Sequence, residues 1–357
     1  FTMGVLGLGE GRSIISAVQN SELWELGNIC DLNEELCKER CQEFGLDGYT
    51  TEYQNMLDDE SIDVIGIYTP DQLHAAHIKM ALEAGKHVIC TKPLMVDLDE
   101  AGALLEAQKR TGKTVFVGQS SRYFEPARRQ RQDFEEGRLG GLITVETHYI
   151  SDSRWFLDRE WSHLKGFSWM YNFMIHAVDL AVWYLPEVEE VYGLGIASEN
   201  TRERGIQAPD TMKFLLKNKD GRFAGVNGVY AAPTLGSAVE QSISCTLRGT
   251  KGISRAGNPK LQYYTNFQPL QKTAQLHEYN ELHDYFFRFE AEPHHAGEYQ
   301  NYIEQFARDM NEGITPKPDL KEGIRTLAVM EAMEQSLRLG IPVKVSQVLA
   351  DRNLCLD

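Results

Sequence analysis

The stretch FTMGVLGLGEGRSIISAVQNS, residues 1–21, decides the fold of this chain. Its first eight residues form a largely apolar run typical of a buried strand, and SIISAVQNS is typical of a helix. Between the two lies a cluster of glycines, which lets a backbone approach a pyrophosphate while the following helix points free N–H groups at the anion. Strand, glycine loop and helix in this order predict a dinucleotide site. The alternative is a tight turn without a ligand.

The residues predicted to hold the dinucleotide come from this loop and from the end of the next strand. In the loop they are Gly7, Gly9, Gly11, Arg12 and Ser13. Asp31 follows roughly 20 residues on, where a carboxylate accepts hydrogen bonds from the adenosine ribose hydroxyls. Its neighbours Leu32 and Asn33 include no arginine for a 2′-phosphate, which favours NAD over NADP. The spacing is irregular, because Arg12 stands where the third glycine or alanine is usual.

The pattern of polar and apolar residues changes near Arg122, and this change predicts two domains. Before it, apolar strands such as DVIGIYTP (63–70) alternate with helices, which specifies a parallel sheet covered on both faces. After it, LITVETHYI (142–150) alternates polar and apolar residues, as a half-exposed antiparallel strand does. Candidate partner strands are 188–198, 211–217, 222–231 and 238–248, with a hairpin turn at Lys219-Asp220-Gly221. We therefore expect an α/β domain followed by an α+β domain.

Composition limits the partners and the compartment. The chain has 357 residues, with 36 basic and 52 acidic side chains and a net charge of −16, which argues against nucleic acid or an anionic membrane as partner. No apolar run reaches the ~18 residues of a membrane span. Six cysteines occur without a CxxC motif, as expected for free thiols in a reducing cytoplasm. His294 and His295 lack a regularly spaced third ligand, so we predict a loop and no metal site.

A second stretch, VICTKPLM at residues 88–95, raises the question of function. It places Lys92, a strongly hydrated cation, directly after a buried strand and before Pro93. One interpretation is a surface lysine whose ammonium reaches water beyond the strand end. The other is a ligand-binding lysine, because doubly wound sheets bind ligands at the carboxyl ends of their strands.

Several segments resemble the family of glucose–fructose oxidoreductase, inositol dehydrogenase and MocA-like proteins, over nearly the whole chain. In YTPDQLHAAHIKMALEAGKHVICTKPL (68–94), Lys92 and Pro93 match the family's Glu-Lys-Pro signature, although Thr91 replaces the glutamate. In YNFMIHAVDLAVWYL (171–185), His176 and Asp179 match its Asp-x-Gly-x-His-x-x-Asp helix, with Asn172 at the place of the first aspartate. The matching segments elsewhere are GQSSRYFEPARR (118–129), EEGRLGGLITVE (135–146) and the closing stretch 313–345.

This resemblance implies a fold and a site. The expected fold is an N-terminal Rossmann domain, residues 1–122, followed by a C-terminal domain, residues 123–357, with a large, mostly antiparallel open sheet. The substrate would lie between them, and the sheet would make a homo-oligomer contact. Carried over by position, the further cofactor-binding residues are Thr69, Pro70, His74, Thr91, Lys92 and Gln119. The implied substrate-binding residues are Lys92, Arg122, Asn172, His176 and Asp179.

The chemistry expected of these residues is the oxidation of an alcohol. The cofactor accepts the hydride, so the protein must orient the reacting carbon and handle the hydroxyl proton. His176 is the predicted base, and Lys92 is predicted to stabilise the developing charge on oxygen, or to act as the base itself if desolvated. Asn172, four residues before His176, can orient the imidazole but supplies no negative charge. We therefore count Lys92, His176 and Asn172 as the catalytic residues.

The segment around residues 154–169 bears on the substrate. Trp155, Trp161, Phe167 and Trp169 crowd it, and aromatic faces stack on sugar rings; the alternative is core packing. Arg154 and Arg122 either hold polar groups of a substrate or make ion pairs. We predict an NAD-dependent enzyme that oxidises a secondary hydroxyl of a sugar, polyol or glycoside, C3 of a pyranose being favoured. The alternatives are a redox-neutral enzyme that uses tightly bound NAD transiently, and a non-catalytic sensor.

Overall fold

The structure, a computed structural model, describes residues 1–163, 166–236, 239–279 and 297–356. The chain forms two compact units. The first comprises Phe1–Tyr123, Asp284–Arg325 and Arg352–Asp357, and the second comprises Phe124–His283 and Thr326–Asp351. The predicted loop at His294 and His295 lies outside the described residues.

The first unit contains a parallel sheet. Its strands are β1 (Thr2–Leu6), β2 (Glu25–Cys30), β3 (Val64–Ile67), β4 (His87–Thr91) and β5 (Val115–Gly118). The helices between them are α1 (Gly11–Gln19), α2 (Glu34–Phe44), α3 (Tyr53–Asp58), α4 (His74–Glu83) and α5 (Ala101–Thr111). In the described part of the chain the strand order is β2-β1-β3-β4-β5, and every neighbouring pair is parallel. The predicted α/β domain is confirmed.

The direction of strand addition reverses at β1, which lies between β2 and β3. The loops that follow β1 and β3 meet at this point. Gly7, directly after β1, adopts a φ of +87° and packs against Tyr68, directly after β3. A Cβ atom on Gly7 would lie 2.6 Å from the carbonyl carbon and oxygen of Tyr68. Such a switch point is where open α/β sheets bind their ligands.

A late helix joins the first unit through aromatic packing. This helix, α9 (Glu298–Asn311), places the Tyr302 ring 5.4 Å from the ring of Phe116 on β5. The indole of Trp24 donates a hydrogen bond of 2.9 Å to the carbonyl oxygen of Ile303. These contacts explain why part of the chain beyond residue 122 is compact with the first unit. The functional division into 1–122 and 123–357 stays a prediction.

The second unit contains the large sheet. Its strands are β6 (Leu142–Ile150), β7 (Val188–Ile196), β8 (Thr211–Asn218), β9 (Phe223–Val229), β10 (Ile243–Gly249), β11 (Gly252–Asn258), β12 (Gln262–Phe267), β13 (Gln275–Glu278) and β14 (Val343–Lys344). Within the described ranges the order is β13-β12-β11-β10-β6-β9-β8-β7-β14, and only β6 and β9 pair in parallel. The expected mostly antiparallel sheet is confirmed.

The remaining helices are α6 (Glu125–Glu135), α7 (Ile175–Tyr184), α8 (Glu199–Arg202), α10 (Leu320–Leu339) and α11 (Val345–Ala350). Helix α7 is preceded directly by a π-helical turn, Met170–Met174. The predicted hairpin turn joins β8 to β9, with Gly221 at a φ of +79°. Helix α7 contacts this sheet directly. The carbonyl oxygen of Ala177 on α7 accepts a hydrogen bond of 2.9 Å from the hydroxyl of Thr147 on β6.

Composition led to expectations about the cysteines, about membrane-spanning helices and about metal ligands. All six cysteines are free, and the cytoplasmic location inferred from them stays a prediction. In the part of the chain that the structure describes, no helix combines the length and apolarity of a bilayer span. The same residues contain no cluster of three or more His, Cys, Asp or Glu side chains arranged to hold a metal ion.

Candidate active site

The glycine loop of the first unit is open on one side and tightly packed on the other. A Cβ atom built on Gly9 would find no described atom within 4 Å, so this position faces free space. A Cβ atom on Gly11, the first residue of α1, would lie 3.0 Å from Val5 of β1. The helix therefore packs closely on its strand, and Ser13 is buried in its first turn. Both properties are what a pyrophosphate loop requires.

Asp31 is fixed at the edge of this loop by two backbone amides. Its Oδ2 accepts a hydrogen bond of 2.8 Å from the N–H of Leu8, and its Oδ1 accepts one of 2.9 Å from the N–H of Asn33. Each carboxylate oxygen has a further lone pair for another donor. The carboxylate is thus held in place with capacity left for two ribose hydroxyls, which fits the role predicted for it.

Two arginines, Arg12 at the start of α1 and Arg40 on α2, are both paired with Glu43. The Nε of Arg12 donates to Glu43 Oε1 at 2.6 Å, and Arg40 Nη1 donates to Glu43 Oε2 at 2.8 Å. Arg40 also donates from Nε to the carbonyl oxygen of Leu8 at 3.2 Å, on the residue whose N–H binds Asp31. Glu43 therefore engages both guanidinium groups beside the adenosine end of the site.

We predict that NAD binds about fivefold to several hundredfold more tightly than NADP, because a 2′-phosphate would meet the Asp31 carboxylate at a cost of roughly 1–4 kcal/mol. Glu43→Gln should narrow this preference, since it frees Arg12 and Arg40 to bind the phosphate. Fluorescence titration with both cofactors measures the effect. The matched control is Glu39→Gln, an exposed carboxylate on the same helix. Equal affinities in the unmodified protein would contradict the assignment of Asp31.

Lys92 follows β4 directly and is half-buried, as is Thr91 before it. Burial lowers the pKa of Lys92, while the negative charges of Asp71 and Glu10 act in the opposite direction. A lysine whose ammonium reached into water would not be desolvated in this way. Ligand binding by this strand-end lysine stays a prediction. Glu10 itself is held by the Tyr299 hydroxyl, which donates to its Oε1 at 2.8 Å.

The three residues of the loop after β3 that were predicted to bind the cofactor differ in their burial. Pro70 is exposed, and Thr69 is half-buried with its Oγ1 3.0 Å from Nδ1 of His77. His74 has no exposed surface. Its Nδ1 lies 2.7 Å from the carbonyl oxygen of Pro93, and its Nε2 lies 2.8 Å from that of Thr69. Because both ring nitrogens are engaged by the backbone, any contribution of His74 to cofactor binding is indirect.

Gln119 and Arg122, which follow β5, are both buried. The Gln119 Oε1 has no hydrogen-bond partner among the residues that the structure describes. A buried acceptor left unpaired costs about 1–3 kcal/mol, so a ligand N–H would be stabilised there. Arg122 donates from Nη1 to Glu322 Oε2 at 2.9 Å, which is the ion pair that the sequence analysis had left open. The open loop, Asp31 and Gln119 together fit a nicotinamide dinucleotide.

In the second unit, His176 lies one residue into α7 and is half-buried. Its imidazole makes an edge contact with the Tyr149 ring, at 5.8 Å between centroids. Asn172 lies in the π-helical turn before α7, so the four residues that separate it from His176 do not follow regular α-helical spacing. Such π-turns occur frequently at functional sites.

Asp179, on α7, has no exposed surface, and its Oδ1 accepts a hydrogen bond of 3.4 Å from the hydroxyl of Thr326. The substrate contact that the family resemblance implies for it stays a prediction.

The aromatic residues divide between core and surface. Trp169 is 1% exposed and stacks on Tyr230 at 5.5 Å, and Phe167 packs edge-on against it at 5.1 Å. For Trp169 the core-packing alternative is correct, whereas Phe167 is half-buried. Trp155 is 55% exposed, with the guanidinium of Arg159 over its ring at 5.5 Å. Arg154 is paired with Asp152 through bonds of 2.8 and 2.6 Å. The side chain of Trp161 lies outside the described part of the molecule.

Comparison with known proteins supports the same interpretation. Residues 1–119 match an oxidoreductase family with an NAD-binding Rossmann fold, and residues 131–345 match the C-terminal alpha/beta domain of that family. A D-xylose 1-dehydrogenase (NADP(+)) of Haloferax volcanii is 25% identical over 352 residues, which cover 96% of this chain and 98% of the relative. A levoglucosan dehydrogenase of Pseudarthrobacter phenanthrenivorans is 29% identical over 170 residues, 46% of this chain and 43% of the relative.

A solved structure of levoglucosan dehydrogenase, in complex with NADH and levoglucosan, has the same fold. Its TM-score is 0.82 at 22% identity, covering 97% of this chain and 99% of the other. Parallel sheet, open glycine loop and fixed Asp31 define the class, an NAD-dependent oxidoreductase. The chain belongs to the Gfo/Idh/MocA family, because the two family domains together match most of its length.

Proposed function

We propose that this enzyme oxidises a secondary hydroxyl group of a sugar, polyol or glycoside. The observation that carries the proposal is the desolvated Lys92 at the carboxyl end of β4, in the NAD-binding domain. Two relatives named as a D-xylose dehydrogenase and a levoglucosan dehydrogenase support a carbohydrate as substrate.

NAD, when bound, supplies the hydride acceptor for this chemistry. Lys92 would donate a hydrogen bond from Nζ to the reacting oxygen and stabilise the negative charge that develops there. A ring nitrogen of His176 would accept the hydroxyl proton, which an imidazole does well near neutral pH. Asn172 would help to orient that ring. Trp155, which is 55% exposed, would stack on a pyranose ring, and the position we favour for oxidation is a ring hydroxyl, C3 in particular.

The experiment is a screen of free sugars, inositols and glycosides for NADH formation at 340 nm, with Lys92→Met protein as the matched control. We expect turnover on at least one pyranose or glycoside, and NMR of its product locates the new carbonyl group. Activity confined to small non-sugar aldehydes or imines would overturn the proposal. Tightly held cofactor with substrate conversion but no net NADH would identify the redox-neutral alternative instead.

We also propose that the large sheet forms a homo-oligomer contact. Alternating positions on neighbouring strands expose Tyr192, Leu194, Ile196, Leu215 and Phe223 on one face, which also carries Lys213 opposite Leu194 and Lys217 opposite Phe223. An exposed apolar patch of this kind is typical of a protein–protein contact. Sedimentation equilibrium should show an oligomer, and Leu194→Glu combined with Leu215→Glu should shift it towards monomer. A monomeric unmodified protein would contradict this assignment.

A further inference from the structure

His74 is bound in a way that a neutral histidine cannot satisfy. Its two ring nitrogens lie 2.7 and 2.8 Å from two backbone carbonyl oxygens, those of Pro93 and Thr69. Carbonyl oxygens only accept hydrogen bonds, so each ring nitrogen must donate. A neutral imidazole carries one N–H, whereas the imidazolium carries two. With one N–H only, one of these buried contacts would set a nitrogen lone pair against an oxygen lone pair.

We propose that His74 is a doubly protonated positioning residue, which ties the loop after β3 to the loop after β4 and thereby sets the position of Lys92. The Pro93 carbonyl belongs to the residue directly after Lys92, and the Thr69 carbonyl belongs to the residue before Pro70. One buried ring thus connects the carboxyl ends of two adjacent strands. The consequence for turnover rests on the function proposed for Lys92, whereas the charge of the ring does not.

A buried imidazolium needs a negative charge near it, and Asp71 supplies one. Asp71 begins the short turn that leads into His74. Burial raises the pKa of Asp71, and the positive charges of His74 and Lys92 lower it. The carboxylate is therefore shared between the two cations. Asp71 was not singled out from the sequence, although its place directly after Thr69-Pro70 was a usable signal.

The other titratable neighbours do not compete for this role. His77, one turn further along α4, has its pKa lowered by burial and by the charge of His74, and its Nδ1 faces the Thr69 hydroxyl. It is therefore neutral near pH 7 and adds no second imidazolium. Lys92, from β4, is the remaining cation, and Glu10 offsets part of its charge.

Loss of the hydrogen bonds from His74 should lower the catalytic rate more than it lowers the affinity for NAD. The adenosine and pyrophosphate contacts are assigned to Asp31 and the glycine loop, which His74 does not touch through its ring nitrogens. The strand end that carries Lys92 would, however, lose a fixed point, and a displacement of about 1 Å at a catalytic group costs on the order of 10²-fold in rate.

The charge state is tested on the whole protein without substrate, by 15N NMR of the histidine rings at pH 7.5. The resonances of His74 are identified by their loss in His74→Gln. We expect both of its ring nitrogens to be protonated, and His77 to show one unprotonated nitrogen. An unprotonated ring nitrogen on His74 would overturn the proposal whatever the activity of the enzyme, so this result stands apart from any failure of the proposed function.

The positioning role is tested by His74→Phe, which keeps the ring without donors, and His74→Gln, which keeps one donating amide. We expect kcat to fall about 10²-fold in the first and about tenfold in the second, with NAD affinity nearly unchanged. The matched control is His77→Gln on the same helix, which should leave kcat near normal. Normal kcat in a folded His74→Phe protein would overturn the role; if that variant fails to fold, normal kcat in His74→Gln would do so.

Discussion

Replacement of Lys92 by methionine is expected to lower turnover by about 10²–10³-fold, the usual loss when a donor to a developing oxyanion is removed. Methionine keeps much of the apolar stem but no ammonium, so the half-buried strand end should stay packed. NAD affinity should remain nearly intact, because Asp31 and the glycine loop do not depend on this side chain. Steady-state kinetics and a parallel cofactor titration separate the two effects.

The matched control for this change is Lys79→Met, which removes an exposed ammonium from α4 in the same unit. It should leave both turnover and NAD affinity unchanged. Near-normal turnover in Lys92→Met would make this residue an ordinary strand-end lysine, and the catalytic assignment would be wrong.

Replacement of His176 by alanine is expected to lower turnover by about 10²–10⁴-fold, the range of general-base contributions. If Lys92 and His176 serve the same proton transfer, the double variant should be little worse than the poorer single variant. Strictly multiplicative losses would show that they act in separate steps. His277→Ala, on the exposed edge strand β13, is the control for loss of an imidazole.

The asparagine at position 172 gives a pH test of the same assignment. Asn172→Asp places a negative charge near the imidazole, which favours its protonated form and raises the pKa of His176. An imidazole must be neutral to accept a proton, so activity rises as the pH passes the pKa of His176. In the Asn172→Asp variant this rise should occur at a higher pH. The measurement is the pH–rate profile of both proteins. An unchanged profile would mean that the two side chains do not interact.

The parts of the fold that local periodicity determines were predictable. Strand β6 has the bounds 142–150 read from its alternation, and the switch from strand to helix at Gly11 follows from the glycine cluster. Strands β11–β13 were missed: Gly252 and Gly257 interrupt the alternation of β11, and β13 has only four residues, all exposed. The packing of α9 on Phe116 is a non-local contact between aromatic faces, which no pattern within either segment encodes.

The candidate site shows the same division. Gly7 and Asp31 were found from spacing, because their roles depend on backbone conformation and strand ends. The Arg40–Glu43 pair was missed, since its relation to the loop arises from the way α2 packs. The sequence alone did not show which tryptophan is accessible. In the structure Trp169 is buried and Trp155 is exposed.

The π-helical turn before α7 has a consequence for how substrate preference can diverge. A π-turn amounts to one residue more than an α-turn, and each residue of an α-helix advances the chain by about 100° around its axis. Deleting one residue within Met170–Met174 would therefore restore a regular helix and rotate Trp169, directly before the turn, relative to His176. The deletion or insertion of a single codon would thus change the side chains that precede α7 on the His176 side, while His176 keeps its place on α7.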